Sequence, residues 1–263
     1  MNARAPSMAL AAFALTVALG QGGALAEIPL GERKSGALFM SESTQAMQRD
    51  DTANPGMLAA LDGEALWNAK AGAANQACAD CHKDAGASMK GVAARYPAYD
   101  TASAGPVDLQ GRINMCRVSK QKAAPLPYES SELLALTTYV ALQSRGMPIS
   151  PPDDPRLTPY RKKGEALWSQ RLGQLNFSCA QCHDDNWGRK LGAATIPQAH
   201  PAGYPIYRLE WQEMGSLQRR FRNCMSGVRA EAYPYGAPEF VNLELFLAHR
   251  ARGMEMETPA VRP

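Results

Sequence analysis

The sequence lacks blocks of like charge. Among its 263 residues, 28 are Lys or Arg and 25 are Asp or Glu, so the formal net charge is only +3. The two signs are mixed along the chain, whereas proteins that bind nucleic acid concentrate basic residues in one region. This distribution argues against nucleic acid as the main partner.

Long apolar runs are missing beyond the first 26 residues. No later stretch approaches the ~18 apolar residues that a membrane helix needs, so we expect no membrane anchor. Residues 1–26 carry a basic residue at position 4, continue in an apolar run over residues 8–19 and end in Ala-Leu-Ala. This pattern is typical of a cleavable signal peptide, which predicts a mature protein exported to the periplasm.

The alternation of apolar and polar residues that marks β-strands is absent as well. With 19 prolines and 22 glycines, the chain cannot form long uninterrupted helices. Apolar residues recur at spacings of three and four over residues 131–144 and 238–250, which predicts two amphipathic helices. The predicted fold class is therefore mainly α, with long irregular loops.

What the sequence does contain is an internal duplication. Residues 63–84 are GEALWNAKAGAANQACADCHKD and residues 164–185 are GEALWSQRLGQLNFSCAQCHDD, at an offset of 101. Further along, LQGRINMC at 109–116 returns as LQRRFRNC at 217–224, at an offset of 108. A repeat of this length predicts two similar domains.

A proline-rich stretch separates the two copies and cannot be helical, so we place an extended linker there. The predicted organisation is a signal peptide at 1–26, an N-terminal extension at 27–53, a first domain at 54–147, a linker at 148–159 and a second domain at 160–263.

Four of the six cysteines lie in two Cys-x-x-Cys-His motifs. Two thiols one helical turn apart can bond to the two vinyl groups of haem, and the adjoining histidine then ligates the iron. Zinc binding and thioredoxin-like dithiols are the alternatives, and an exported helical chain without a βαβ pattern disfavours both. We therefore predict two duplicated cytochrome c-like domains with two covalently bound haem c groups. The motif residues are Cys78, Cys81 and His82 in the first copy and Cys179, Cys182 and His183 in the second.

The two remaining cysteines, Cys116 and Cys224, occupy equivalent places in the repeat. Equivalent positions in duplicated haem pockets predict that each thiolate is the second axial ligand of its iron. A disulfide between them is the alternative in an oxidising compartment. Thiolate ligation would lower the haem potential relative to methionine, which indicates a role other than simple electron shuttling.

Arg220 precedes Cys224 by four residues, so a helix would place both on one face. Its guanidinium could hold an oxyanion beside the sulfur. Arg112 occupies the matching place in the first copy, which fits a general haem-pocket role for this arginine. Arg219 and Arg222 are present only in the second copy, which favours that copy as the reactive one.

These motifs together resemble SoxA, the dihaem subunit of the SoxAX cytochrome of periplasmic sulfur oxidation, over almost the whole mature chain. The resemblance implies L-cysteine S-thiosulfotransferase activity. Thiosulfate would be joined oxidatively to a cysteine of a SoxYZ-like carrier protein, giving cysteine S-thiosulfonate. It also implies a SoxX-like monohaem partner subunit and c-type cytochromes as electron acceptors.

The resemblance further assigns roles to residues. Cys224 would be the active-site sulfur, a position found as a persulfide in this family, and Arg220 would bind substrate. Our mechanistic hypothesis is that Arg220, helped by Arg222 or Arg219, holds thiosulfate against that sulfur. The implied haem ligands are Cys78, Cys81, His82 and Cys116 for the first haem and Cys179, Cys182, His183 and Cys224 for the second.

Two other functions are compatible with the motifs. A thiosulfate dehydrogenase would couple two thiosulfates to tetrathionate without a protein acceptor, but it needs only one cysteine-ligated haem. A plain dihaem electron-transfer cytochrome would catalyse nothing. A dihaem peroxidase is disfavoured because a repeated sixth ligand leaves no open iron.

Overall fold

Short helices dominate the chain and confirm the mainly α class. The computed structural model describes residue 1 and residues 28–263, so the predicted signal peptide lies, except for Met1, outside the described residues. Among residues 28–263, no helix is long and apolar enough to cross a membrane.

Ten α-helices form in the described part of the chain. The two helices predicted from apolar spacing are present, although the first ends two residues earlier than expected, at Leu142. The helices are α1 (Glu42–Arg49), α2 (Gly56–Asn68), α3 (Cys78–His82), α4 (Ala85–Ser88), α5 (Leu109–Cys116), α6 (Ser131–Leu142), α7 (Thr158–Ser169), α8 (Cys179–His183), α9 (Leu217–Gly227) and α10 (Pro238–Arg250).

Short β-strands, which the sequence pattern did not indicate, lie between these helices. Each has only two or three residues, so an alternating pattern has no length over which to appear. The strands are β1 (Ala98–Asp100), β2 (Gly105–Val107), β3 (Lys190–Leu191), β4 (Ala194–Thr195), β5 (Ile206–Arg208), β6 (Glu213–Gly215) and β7 (Ala260–Arg262). Strands β1 and β2 pair antiparallel, as do β3 and β4 and also β5 and β6, while β7 adds to β5 in parallel.

The core of each half is a pair of closely crossing helices, α2 with α6 and α7 with α10. The glycine of each Gly-Glu-Ala-Leu-Trp motif lies at the crossing. A Cβ atom on Gly63 would be 2.2 Å from the carbonyl oxygen of Ala135, and one on Gly164 would be 2.0 Å from that of Asn242. Only glycine permits such an approach, which explains this part of the motif.

The segment between the halves is packed rather than free. Ile149 is buried, accepts a hydrogen bond from the amide of Gly253 and donates one to the carbonyl of Met254, both at 2.8 Å. Helix α7 begins at Thr158, two residues before the predicted start of the second domain. The predicted boundary of the second domain stays a prediction.

The two halves also share a buried polar network. The Gln218 side chain donates to Asp108 Oδ2 at 2.9 Å and accepts from the amide of Gly236 at 2.7 Å. Tyr128 donates to Asp108 Oδ1 at 3.0 Å. Since buried polar groups that lose a partner are costly, this network fixes how α5 of the first half meets α9 of the second.

We expect Gly164→Ala to destabilise the protein by at least about 2 kcal/mol, because the new methyl group must displace backbone rather than a flexible side chain. Urea denaturation of the purified holoprotein measures this. Gly227→Ala is the matched control, since nothing lies within 4 Å of a Cβ at that position. Equal stability of the two variants would contradict a tight crossing at Gly164.

Candidate active site

Each Cys-x-x-Cys-His motif forms a single helical turn, α3 or α8. The turn α8 is closed at its start by a reciprocal pair of hydrogen bonds. The amide of Gln181 donates to the Ser178 hydroxyl at 3.2 Å, and the amide of Ser178 donates to the Gln181 side chain at 2.9 Å. This capping box orients the motif side chains in a helix too short to be stable alone.

The tryptophan of each Gly-Glu-Ala-Leu-Trp motif contacts the motif histidine. Trp168 stacks on His183 with ring centroids 5.6 Å apart, and Trp67 lies at the same distance from His82. The Trp168 indole also donates to Asp184 Oδ2 at 2.7 Å. The repeated motif thus links the helix crossing, through its glycine, to the Cys/His turn, through its tryptophan.

Helix α9 brings Cys224 against His183. Ser216 caps the start of this helix, and its hydroxyl accepts from the amide of Arg219 at 3.1 Å. Burial alone would raise the pKa of the Cys224 thiol, but a hydrogen bond with His183 and the charges of Arg220 and Arg208 outweigh it and lower that pKa. The second half therefore favours a thiolate at Cys224.

The later cysteines lie close to the motif cysteines in both halves. Burial raises the pKa of Cys179 to about 12, and the charge of Cys224 adds to that rise. Burial likewise raises the pKa of Cys78, with a contribution from Cys116. All six cysteines are free, so the structure contradicts the alternative of a disulfide between Cys116 and Cys224.

These residues fit a covalently attached haem. His183 donates its Nδ1 proton to the carbonyl oxygen of Pro197 at 2.7 Å, so Nε2 is the nitrogen that would bind the iron when haem is present. In the second half, Cys224 lies near both motif thiols and the motif imidazole. Within residues 28–263, no three His, Cys, Asp or Glu side chains converge as a bare metal-ion site would require.

Of the three arginines expected around Cys224, the structure sets only Arg220 against its sulfur. Arg220 lies beside it, and the negative charge of Cys224 raises the pKa of this arginine. Arg219 instead pairs with Glu213 at 2.5 Å and stacks over Trp211. Arg222 donates to the carbonyl of Tyr233 and stacks over Tyr235. Both side chains therefore have partners away from Cys224, and the helper role expected of Arg219 or Arg222 stays a prediction.

Arg208, at the end of β5, is the basic residue that the sequence reasoning missed. Its positive charge contributes to lowering the pKa of the Cys224 thiol and interacts with the charge of Arg220. A signal was available, because the offset of 108 that aligns the two copies pairs Arg208 with Asp100.

Comparison with known proteins gives one consistent family. The model of the SoxA/TsdA cytochrome c domain matches residues 62–149 and 163–256. The L-cysteine S-thiosulfotransferase subunit SoxA of Pseudaminobacter salicylatoxidans is 40% identical over 89% of this chain and 82% of its own. The SoxA subunit of Rhodovulum sulfidophilum is 37% identical over 88% of this chain and 80% of its own. The crystal structure of SoxXA from P. pantotrophus superposes with a TM-score of 0.85 at 33% identity, covering 88% of this chain and 87% of that chain.

A buried histidine follows the second Cys-x-x-Cys-His motif in the chain. His200 is 7% exposed and contacts the Gln198 side chain through Nε2 at 3.2 Å. Burial, together with the charges of Arg250 and Arg33, lowers the pKa of His200 to about 3. Arg250 also pairs with Asp184, which directly follows the motif histidine.

We expect the free energy of unfolding to fall as the pH drops below about 6.5, because His200 takes up a proton in the unfolded chain but not in the folded one. Between pH 6.5 and pH 5 this contributes about 2 kcal/mol. A His200→Gln variant, which carries no titrating group there, should lose correspondingly less stability over that interval in urea denaturation. Parallel pH profiles for the two proteins would refute a neutral buried histidine.

Proposed function

The chain belongs to the SoxA/TsdA cytochrome c family, and on that premise we propose that it is the SoxA-type subunit of an L-cysteine S-thiosulfotransferase. The reaction joins thiosulfate to a cysteine thiol of a carrier protein. The outer sulfur of thiosulfate bonds to the cysteine sulfur, the thiol loses its proton, and two electrons leave. The observation that carries this proposal is the proximity of Cys224 to both His183 and Arg220.

Cytochrome c domains hold haem c covalently, and this chain has two matches to such a domain. When bound, haem c would supply one-electron acceptance for the two electrons that leave. We propose one haem in each half, with the donor sets predicted from the repeat. They are Cys78, Cys81, His82 and Cys116 in the first half and Cys179, Cys182, His183 and Cys224 in the second.

The protein's own contribution is to bind and orient an anion. The guanidinium of Arg220 lies beside the Cys224 sulfur and can donate two parallel hydrogen bonds to the sulfonate oxygens of thiosulfate. A fixed cation also reduces the repulsion between the thiosulfate dianion and a negatively charged sulfur. Cys224, or a persulfide sulfur attached to it, would be the group against which the outer sulfur is positioned.

The partners follow from the same proposal. The matched crystal structure is that of SoxXA, so we propose a SoxX-like monohaem subunit as the heterodimer partner. A SoxYZ-like protein would supply the acceptor cysteine, and c-type cytochromes would take the electrons. The periplasmic location rests on the signal-peptide pattern of residues 1–26.

We expect Cys224→Ala to abolish conjugation of thiosulfate to the carrier, because the sulfur that faces the substrate is lost. Arg220→Gln should lower kcat/KM by roughly 10- to 100-fold, the range for one charge-assisted hydrogen-bonding partner. The assay measures thiosulfate-dependent haem reduction and carrier mass, with the carrier present or omitted.

Arg112→Gln is the control, since this arginine holds the matching place in the first half and pairs with Asp100 at 2.9 Å. Its kcat/KM should equal that of the wild type. Full activity of the Cys224→Ala variant would refute the assignment. Tetrathionate formation without the carrier would support thiosulfate dehydrogenase instead.

The intact mass of the native subunit should equal that of the chain from Glu27 onward plus two haems, with any persulfide adding the mass of one sulfur atom. Replacing Cys179 and Cys182 together by serine should remove one haem and leave the other. A native mass with a single haem would contradict the proposed donor set of one half.

A further inference from the structure

The duplicated halves differ in charge at one matched pair of positions. In the first half, Asp100 ends β1 and its Oδ1 accepts from the guanidinium of Arg112 at 2.9 Å. In the second half, Arg208 ends β5 at the matching position, and Arg220 stands where Arg112 stands. A neutral ion pair in one half is therefore replaced by two cations in the other.

The strand register supports this match. Asp100 pairs with Gly105 across the first hairpin, and Arg208 pairs with Glu213 across the second. All of these positions are related by the same offset of 108, with no insertion between the hairpins and the helices that follow. Asp100 and Arg208 therefore occupy equivalent sites in the two halves.

Arg208 is incompletely paired. Its outer nitrogen Nη2 donates to Glu210 at 2.7 Å, but Glu210 is 67% exposed and that ion pair is weakened by water. Its Nε is buried and has no hydrogen-bond partner. The guanidinium carbon lies 4.9 Å from the ring centroid of Trp211, which holds the side chain in place without neutralising it.

Two neighbouring guanidiniums repel each other. Burial and the charge of Arg220 both lower the pKa of Arg208, which is the sign of an arrangement that costs folding free energy. An anion with more than one charge, bound between the two side chains, would offset that repulsion and supply an acceptor for the unpaired Nε.

We propose that Arg208 is a second substrate-binding residue, which acts with Arg220 to hold the sulfonate group of the thiosulfate dianion over Cys224. The inference rests on the proposed function for the identity of the anion. It predicts that the site prefers dianions, since a dianion can pair with both guanidiniums at once and offsets more of their repulsion than a monoanion does. It also assigns to Arg208 the helper role that the sequence suggested for Arg219 or Arg222.

A haem propionate is the other anion that Arg208 could bind, because it too offers anionic oxygen acceptors. A residue that anchors a propionate would affect haem retention and redox potential. One that binds thiosulfate would affect the affinity for free oxyanions. The test therefore measures both properties.

The experiment uses the assembled holoenzyme with Arg208→Gln, Arg208→Lys and Arg208→Asp. It records KM and kcat for thiosulfate, the inhibition constant of sulfate as an unreactive dianion, the equilibrium binding of sulfate followed by haem absorbance, haem content and midpoint potential. Arg171→Gln is the charge-matched control, because Arg171 is exposed in the second half and donates to the carbonyl of Asn176 at 3.3 Å.

We expect Arg208→Gln to raise KM for thiosulfate and both sulfate constants by roughly 10-fold or more, with normal haem content. Arg208→Lys should recover part of the loss because it keeps the charge. Arg208→Asp, which recreates the pairing of the first half, should lose the most affinity for thiosulfate and sulfate. The control should match the wild type.

Unchanged KM and sulfate affinity in Arg208→Gln would overturn the proposal, as would haem loss or a shifted potential with unchanged sulfate affinity. Failure of the proposed function is separable. If the wild type conjugates no thiosulfate but binds sulfate, and Arg208→Gln weakens that binding, then Arg208 is an anion-binding residue of a site with another substrate.

Discussion

The site depends on one constraint: His183 and Cys224 must face each other although 41 residues separate them in the chain. The capping box fixes the histidine on the short helix α8, and Ser216 caps the helix that carries the cysteine. Trp168 ties α8 to the crossing of α7 with α10. Because close-packed helices tolerate little displacement, the crossing at Gly164 controls the geometry of the ligands.

The duplication makes the first half a reference for the second. Both halves keep the glycine at the crossing, the tryptophan against the histidine and the later cysteine near the motif, which supports the proposal of one haem in each half. The halves differ at Asp100 and Arg208, where charge is reversed, and at the histidines, since His82 is exposed and His183 is half-buried. Features common to both halves support the cofactor, whereas features of the second half alone indicate substrate chemistry.

Much of this could be predicted from the sequence. The Cys-x-x-Cys-His spacing and the repeat indicated the family and placed Cys224 and Arg220 together, since a separation of four residues puts two side chains on one helical face. The pairing of β5 with β7 could not be predicted, because it joins residues about 50 positions apart through strands of three residues. The partners of Arg219 and Arg222 could not be predicted either, because Glu213 and Tyr233 lie outside α9.

The two halves also differ in how many strands hold the strand that carries Asp100 or Arg208. Strand β1 pairs only with β2 among the described residues, whereas β5 lies between β6 and β7. The N-terminal extension braces this sheet, because the Gln48 side chain accepts from the amide of Val261 at 3.2 Å. Two cations that repel each other would drift apart on a mobile loop. A strand held on both edges keeps Arg208 in place before any anion arrives, which is the condition under which fixed charges stabilise a reacting group most.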